Sequence, residues 1–90
     1  MRVDIGVNRL VVLVQTICCY QYDFKDDQNA TTLNLSRSGI TSLHGNIKNC
    51  KKLEVLYLDG NDLVTLPNEI GRLSKLRVLS VSNNKLKSLL

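Results

Sequence analysis

Ninety residues make one domain and leave no room for a catalytic domain beside it. Twelve Lys and Arg against eight Asp and Glu give a net charge of +4, but only 4% of the residues are aromatic, so the platforms on which single-stranded nucleic acid stacks are scarce. Three cysteines, two of them the neighbours Cys18 and Cys19, do not make a disulfide framework.

Residues 1–29 come first. The run at residues 9–20, RLVVLVQTICCY, is apolar but shorter than the about 20 residues that cross a bilayer. Two accounts fit it. In the one carried forward it is a cap or degenerate repeat, helical or strand-like, covering the apolar end of the structure that follows. Val7, Leu10, Val12, Ile17, Tyr20 and Phe24 then have the same spacing as Ala30, Leu33, Leu35, Ile40, Leu43 and Ile47, although Val11, Leu13 and Val14 break the alternation. In the second account it is a signal peptide, with Arg2 and Arg9 ahead of the apolar run; Asp4, Gln15 and the lack of an A-x-A-like site oppose it. The chain would then be secreted or at the cell surface, and residues 29–31 and 34–36 would be glycosylation acceptors. Residues 25–29, KDDQN, form a polar link.

From Ala30 onward one pattern recurs at a constant period, giving units at 30–52, 53–75 and 76–90, the last truncated. Leu33, Leu35, Ser38, Ile40, Leu43, Ile47 and Cys50 in the first unit match Leu56, Leu58, Asn61, Leu63, Leu66, Ile70 and Leu73 in the second. Leu79, Val81, Asn84, Leu86 and Leu89 follow in the third. Alternation around Leu56 and Leu58 predicts a strand with Val55, Tyr57 and Asp59 on its opposite face; Leu66, Ile70 and Leu73 fall at helical offsets. Each unit is therefore a short strand, a turn and a short helical or irregular return. Asn61 and Asn84 stand where the chain leaves the strand, and a carboxamide there can satisfy turn groups the sheet no longer reaches. Ser38 takes that place in the first unit and offers fewer bonds. Pro67 marks the next corner, where His44 stands one period earlier. Without Asp, Glu or Cys at ligand spacing, His44 reads as a loop residue.

The order L-x-x-L-x-L-x-x-N-x-L at a fixed period resembles the leucine-rich repeat family. The 23-residue period and the LPxxIxxLxxL return are most similar to the Ras-group repeats of intracellular scaffolds, fungal adenylyl cyclases and plant relatives, and to the repeats of one class of cytoplasmic deadenylases. The resemblance implies an α/β solenoid, with a short parallel β-sheet on the concave face and short helical or irregular return limbs, about three coils plus an N-terminal cap. It also implies a protein partner docked on the concave face. Extracellular branches of the family open with a cysteine-rich cap, which residues 1–29 do not hold; this points to a cytoplasmic protein.

On that reading the outward strand positions form a grid. Thr32, Val55 and Val78 make one row; Asn34, Tyr57 and Ser80 the next; Ser36, Asp59 and Ser82 the third, with Arg37, Gly60 and Asn83 at the exit. Tyr57 is the one aromatic residue of the grid and its best anchor, flanked by Asp59 and Arg37. Catalytic residues, metal ligands and cofactors are not expected, because the sequence holds no phosphate loop, no paired nucleophile and base, and no ligand cluster. The expected function is a protein–protein interaction module, a signalling scaffold. The alternative is the targeting part of a longer enzyme of the cyclase or deadenylase type, or a secreted recognition fragment. No small-molecule substrate, transmembrane segment or nucleic-acid partner is expected, since most repeat lysines and arginines fall on return limbs. Because the pattern stops at Leu89 and Leu90, the faces of Leu76, Leu79, Val81 and Leu86 are expected to lie open unless a partner or self-association covers them.

Overall fold

A computed structural model describes residues 2–4, 6 and 19–87. Among them the order of elements is β1 (Arg2–Asp4), β2 (Gln21–Tyr22), β3 (Thr32–Asn34), β4 (Ser42–Leu43), the 3-10 helix η1 (Gly45–Asn49), β5 (Val55–Tyr57), the 3-10 helix η2 (Asn68–Arg72) and β6 (Val78–Ser80). Strands β3, β5 and β6 are parallel neighbours, and their register follows the period of the sequence: Leu33 faces Leu56 and Leu56 faces Leu79. Alternation drives those leucines to one face of the sheet. Leu56 and Leu58 are fully buried with Leu53, Leu63 and Ile47, each contributing about 1.5–3 kcal/mol of transfer free energy.

The return limbs repeat as closely as the strands. Pro67 has φ −70° and ψ 147° at the start of η2, and His44 adopts φ −71° and ψ 146° at the start of η1. Proline reaches that φ by its ring. His44 holds the corner with its side chain, Nδ1 accepting the Asn46 N–H at 2.9 Å. Ile47 and Ile70 then point into the core.

At the N-terminal end the repeat frame holds in part. Asp27 N–H donates to Phe24 O at 3.0 Å, as Cys50 N–H donates to Ile47 O at 2.9 Å and Leu73 N–H to Ile70 O at 3.1 Å. Phe24 is fully buried in the place of Ile47. Upstream the frame slips by two: β2 pairs with β4 so that Tyr22, not Tyr20, faces Leu43, and Tyr20 is exposed. The first unit has two more residues between Leu43 and Ile47 than the chain has between Tyr22 and Phe24. Tyr22 and Phe24 meet edge to face at 4.8 Å. The expected partners Val7, Leu10, Val12 and Ile17, and Cys18 of the candidate leader, lie outside the described residues, as do Leu89 and Leu90.

Within residues 1–29, the two described strands lie in different sheets, β2 with β4 and β1 with β6. Strand β1 lies at the opposite end of the sheet, parallel to β6, in the order β1-β6-β5-β3. The open edge expected beyond β6 is therefore covered at its strand, and Leu76, Leu79 and Val81 are buried. The physical reason is pairing: Val81 N–H finds an acceptor at 2.8 Å in Asp4 O, as Leu58 N–H finds Ser80 O at 2.7 Å one strand earlier.

Candidate functional site

The outward grid is built by the strands and by the turn that follows each. Thr32, Val55 and Val78 align in register, as do Asn34, Tyr57 and Ser80, and β1 extends these rows with Arg2 and Asp4. Tyr57 is 38% exposed at the middle of its row. Its neighbour Ser80 is buried, and its hydroxyl donates to Asp59 Oδ1 at 2.7 Å; the Ser82 N–H reaches the same oxygen at 2.8 Å. Asp59 is thereby fixed across the gap to β6. Ser36 is half-buried, its N–H held by Asn34 Oδ1 at 3.1 Å, while Asn34 and Thr32 are exposed. Val55, Val78 and Ser82 are half-buried, and Arg37 is exposed.

At the strand exits a feature appears that the sequence reading missed. Arg37, Gly60 and Asn83 all take left-handed backbone, with φ of 53°, 72° and 57°. Gly60 suits that conformation without cost and asparagine tolerates it, but arginine does not favour it. A Cβ on Gly60 would lie 2.9 Å from Arg37 Cγ, so the Arg37 stem lies over the glycine. The signal available in the sequence was the Gly and Asn in two of the three equivalent places.

The grid rests on an asparagine ladder. Asn61 Nδ2 donates to Leu35 O and Leu58 O, both at 2.9 Å, and Asn61 Oδ1 accepts from Ser38 N–H at 2.9 Å and Ile40 N–H at 3.1 Å. Asn84 Nδ2 donates to Leu58 O at 2.8 Å and Val81 O at 3.0 Å, and its Oδ1 accepts from Leu63 N–H at 3.0 Å. The Ser38 side chain sits outside this ladder, exposed, with its hydroxyl on Ser36 O.

Titration is perturbed mainly away from the grid. The Tyr22 hydroxyl donates to Asp27 Oδ2 at 2.7 Å, and this bond, burial and the Asp27 charge push its pKa up to about 12. Asp23 is held below the usual carboxylate range, first by the Asn46 side chain. Burial, then the Asp27 charge, pushes the Cys50 thiol up, while Cys19 is exposed. On the other side of the molecule Lys48, Asn49, Lys51 and Arg72 line an open depression of about 350 Å³. Among the described residues no group of three or more His, Cys, Asp and Glu side chains comes together, and no helix is long and apolar enough to cross a membrane.

With this geometry in place, comparison with known proteins gives the class. Residues 28–89 match the leucine rich repeat family, and the chain belongs to it. It is 35% identical over 63 residues to a probable serine/threonine-protein kinase of Dictyostelium discoideum, covering 69% of this chain and 5% of that one. It is 48% identical over 54 residues to the CCR4-Not complex 3'-5'-exoribonuclease subunit Ccr4 of Saccharomyces cerevisiae, covering 60% and 6%. A leucine-rich repeat protein soc-2 homolog of Drosophila grimshawi is 43% identical over 51 residues, covering 57% and 8%. The chain spans less than a tenth of the length of each of these relatives. A parallel sheet of leucine-rich repeats is a module for binding protein.

Proposed function

We propose that this chain is a non-enzymatic, cytoplasmic scaffold module of three coils, closed at its N-terminal end by Tyr22 and Phe24, that binds a protein partner through the concave grid in a signalling assembly. The observation that carries this reading is the placement of Tyr57. The residue stands 38% exposed at the end of β5, between Asn34 and Ser80 of the flanking strands, with Leu56 fully buried on the inner face and Asp59 clamped by Ser80 and Ser82. A rigid aromatic surrounded by fixed polar groups is the usual make-up of an energetic anchor, because little side-chain entropy is lost on binding. Arg37 adds an exposed residue with a guanidinium at the strand exit, and the soc-2 homolog that the chain resembles is itself described as a leucine-rich repeat protein.

Affinity capture from cell extract with the intact chain, Tyr57→Ala and Arg37→Ala, beside a return-limb control Lys51→Ala, tests it. Loss of the same prey in both concave variants and its retention by the control is the expected result; prey unchanged in Tyr57→Ala moves the site off the grid. A second reading, that the coils are the targeting part of a longer enzyme, is favoured by the matches to a kinase and an exoribonuclease subunit. Sequencing the gene beyond codon 90 separates the two, since only the second requires a catalytic domain.

A further inference from the structure

Strand β1 pairs with β6 in a single register: Arg2 with Val78, Val3 with Leu79 and Asp4 with Ser80. In the sequence, Ile5, Asn8 and Leu10 follow Val3 at the same spacing at which Val81, Asn84 and Leu86 follow Leu79. V-x-I-x-x-N-x-L is thus the strand-and-turn signature of a leucine-rich coil, written at the start of the chain with Val3 in the role of Leu33. Two independent features agree on one register. The backbone bonds are also those of a following coil: Val81 N–H donates to Asp4 O as Leu58 N–H does to Ser80 O and Leu35 N–H to Tyr57 O.

The fit at Gly6 is close. Its φ is +42°, and a Cβ there would lie 2.3 Å from Ser82 Oγ and 2.5 Å from Ser82 Cβ. Glycine is what lets the chain just past β1 lie close against Ser82, just past β6.

We propose that the edge of β6 facing away from β5 is an acceptor site for one extended parallel strand of leucine-rich-repeat pattern, and that β1 is its resident occupant, supplied in cis. It stands where the strand of a following coil would pair, so the two are mutually exclusive. The ligand class is a peptide of pattern apolar-x-apolar-Gly-x-Asn-x-Leu, bound through main-chain hydrogen bonds.

The test uses the full chain, its Gly6→Val variant and a labelled peptide of sequence RVDIGVNRL. In the wild type the Val81 amide exchanges at less than about a hundredth of the unprotected rate, and the peptide binds weakly because the site is filled. Gly6→Val speeds Val81 exchange by at least about tenfold and tightens peptide binding by at least about tenfold, whereas a peptide with valine in place of its glycine does not bind. Unprotected Val81 exchange in the wild type overturns the proposal even if the variant fails to fold. So does equal peptide binding by wild type and variant, and so does a wild-type dimer that dissociates in excess peptide, which would assign the strand to a second copy.

Discussion

In the second coil, residues 53–75, all seven inward positions are buried and Asn61 turns the chain with four hydrogen bonds. In the first, residues 30–52, Ala30, Leu33 and Leu35 are half-buried and Ser38 bonds only Ser36 O through its side chain. Yet the two coils share strand register, corner geometry and 3-10 return. The difference teaches where the first coil's order comes from. Three of the four bonds made by Asn61 reach the first coil, at Leu35 O, Ser38 N–H and Ile40 N–H. A weak coil keeps its shape because its neighbour provides the polar partners it lacks.

The sharpest way to break that comparison is Asn61→Ala. It leaves the N–H groups of Ser38 and Ile40 and the carbonyls of Leu35 and Leu58 without this partner, and at one to three kcal/mol for a buried group left unsatisfied we expect a loss of about 3–5 kcal/mol in denaturant unfolding. Ser38→Ala, in the equivalent place, should change stability by less than about 0.5 kcal/mol. Equal losses would mean that each coil holds its own turn.

Packing gives the next effect. Leu56→Ala empties a fully buried position and should cost about 2–5 kcal/mol, while Leu33→Ala, half-buried on the outer strand β3, should cost about half as much. A smaller contrast sits at the strand exits. Gly60→Ala places a Cβ at positive φ against Arg37 and should destabilise by about 1–2 kcal/mol. Arg37→Gly, at the same point of the first coil, should stabilise by about 0.5–1 kcal/mol, because it removes left-handed strain at some cost in unfolded-chain entropy.

The smallest effect is one of pH and lies where the first coil meets the N-terminal segment. Tyr22 has its pKa raised from 10.0 to about 12 by its bond to Asp27. A raised folded-state value means the folded chain keeps a proton that the unfolded chain gives up, so this contribution is whole below pH 10 and is lost as the pH climbs to about 12. Wild type should therefore lose more stability over that window than Tyr22→Phe. Parallel pH curves for the two would remove the Tyr22–Asp27 bond from the account.

The coil frame was legible in the residues because leucine spacing reports both the strand face and the return. Leu33, Leu56 and Leu79 fall in line for that reason. The grid rows follow from the same period, and so does the equivalence of His44 with Pro67. What could not be read was anything that depends on contacts between distant segments. The slip that faces Tyr22 with Leu43 comes from a two-residue difference between coils, invisible when a constant period is imposed. Burial of Ser80 comes from its bond to Asp59 and from β1 on its far side. Strand β1 itself escaped because its frame is out of step with the repeat: Val3, where a constant period would put Leu10, takes the role of Leu33. Left-handed backbone at Arg37 has no mark in its own side chain; only its counterparts Gly60 and Asn83 betray it.

The asparagine ladder also has a direction. Asn61 reaches back to Leu35 and Asn84 reaches back to Leu58. On the ribosome, then, residues 30–52 cannot settle until residue 61 has cleared the exit tunnel, nor residues 53–75 until residue 84 has. Assembly during synthesis is then expected to trail the emerged part of the chain by about one period, and a nascent chain halted inside a coil to leave the preceding one loose and open to proteolysis.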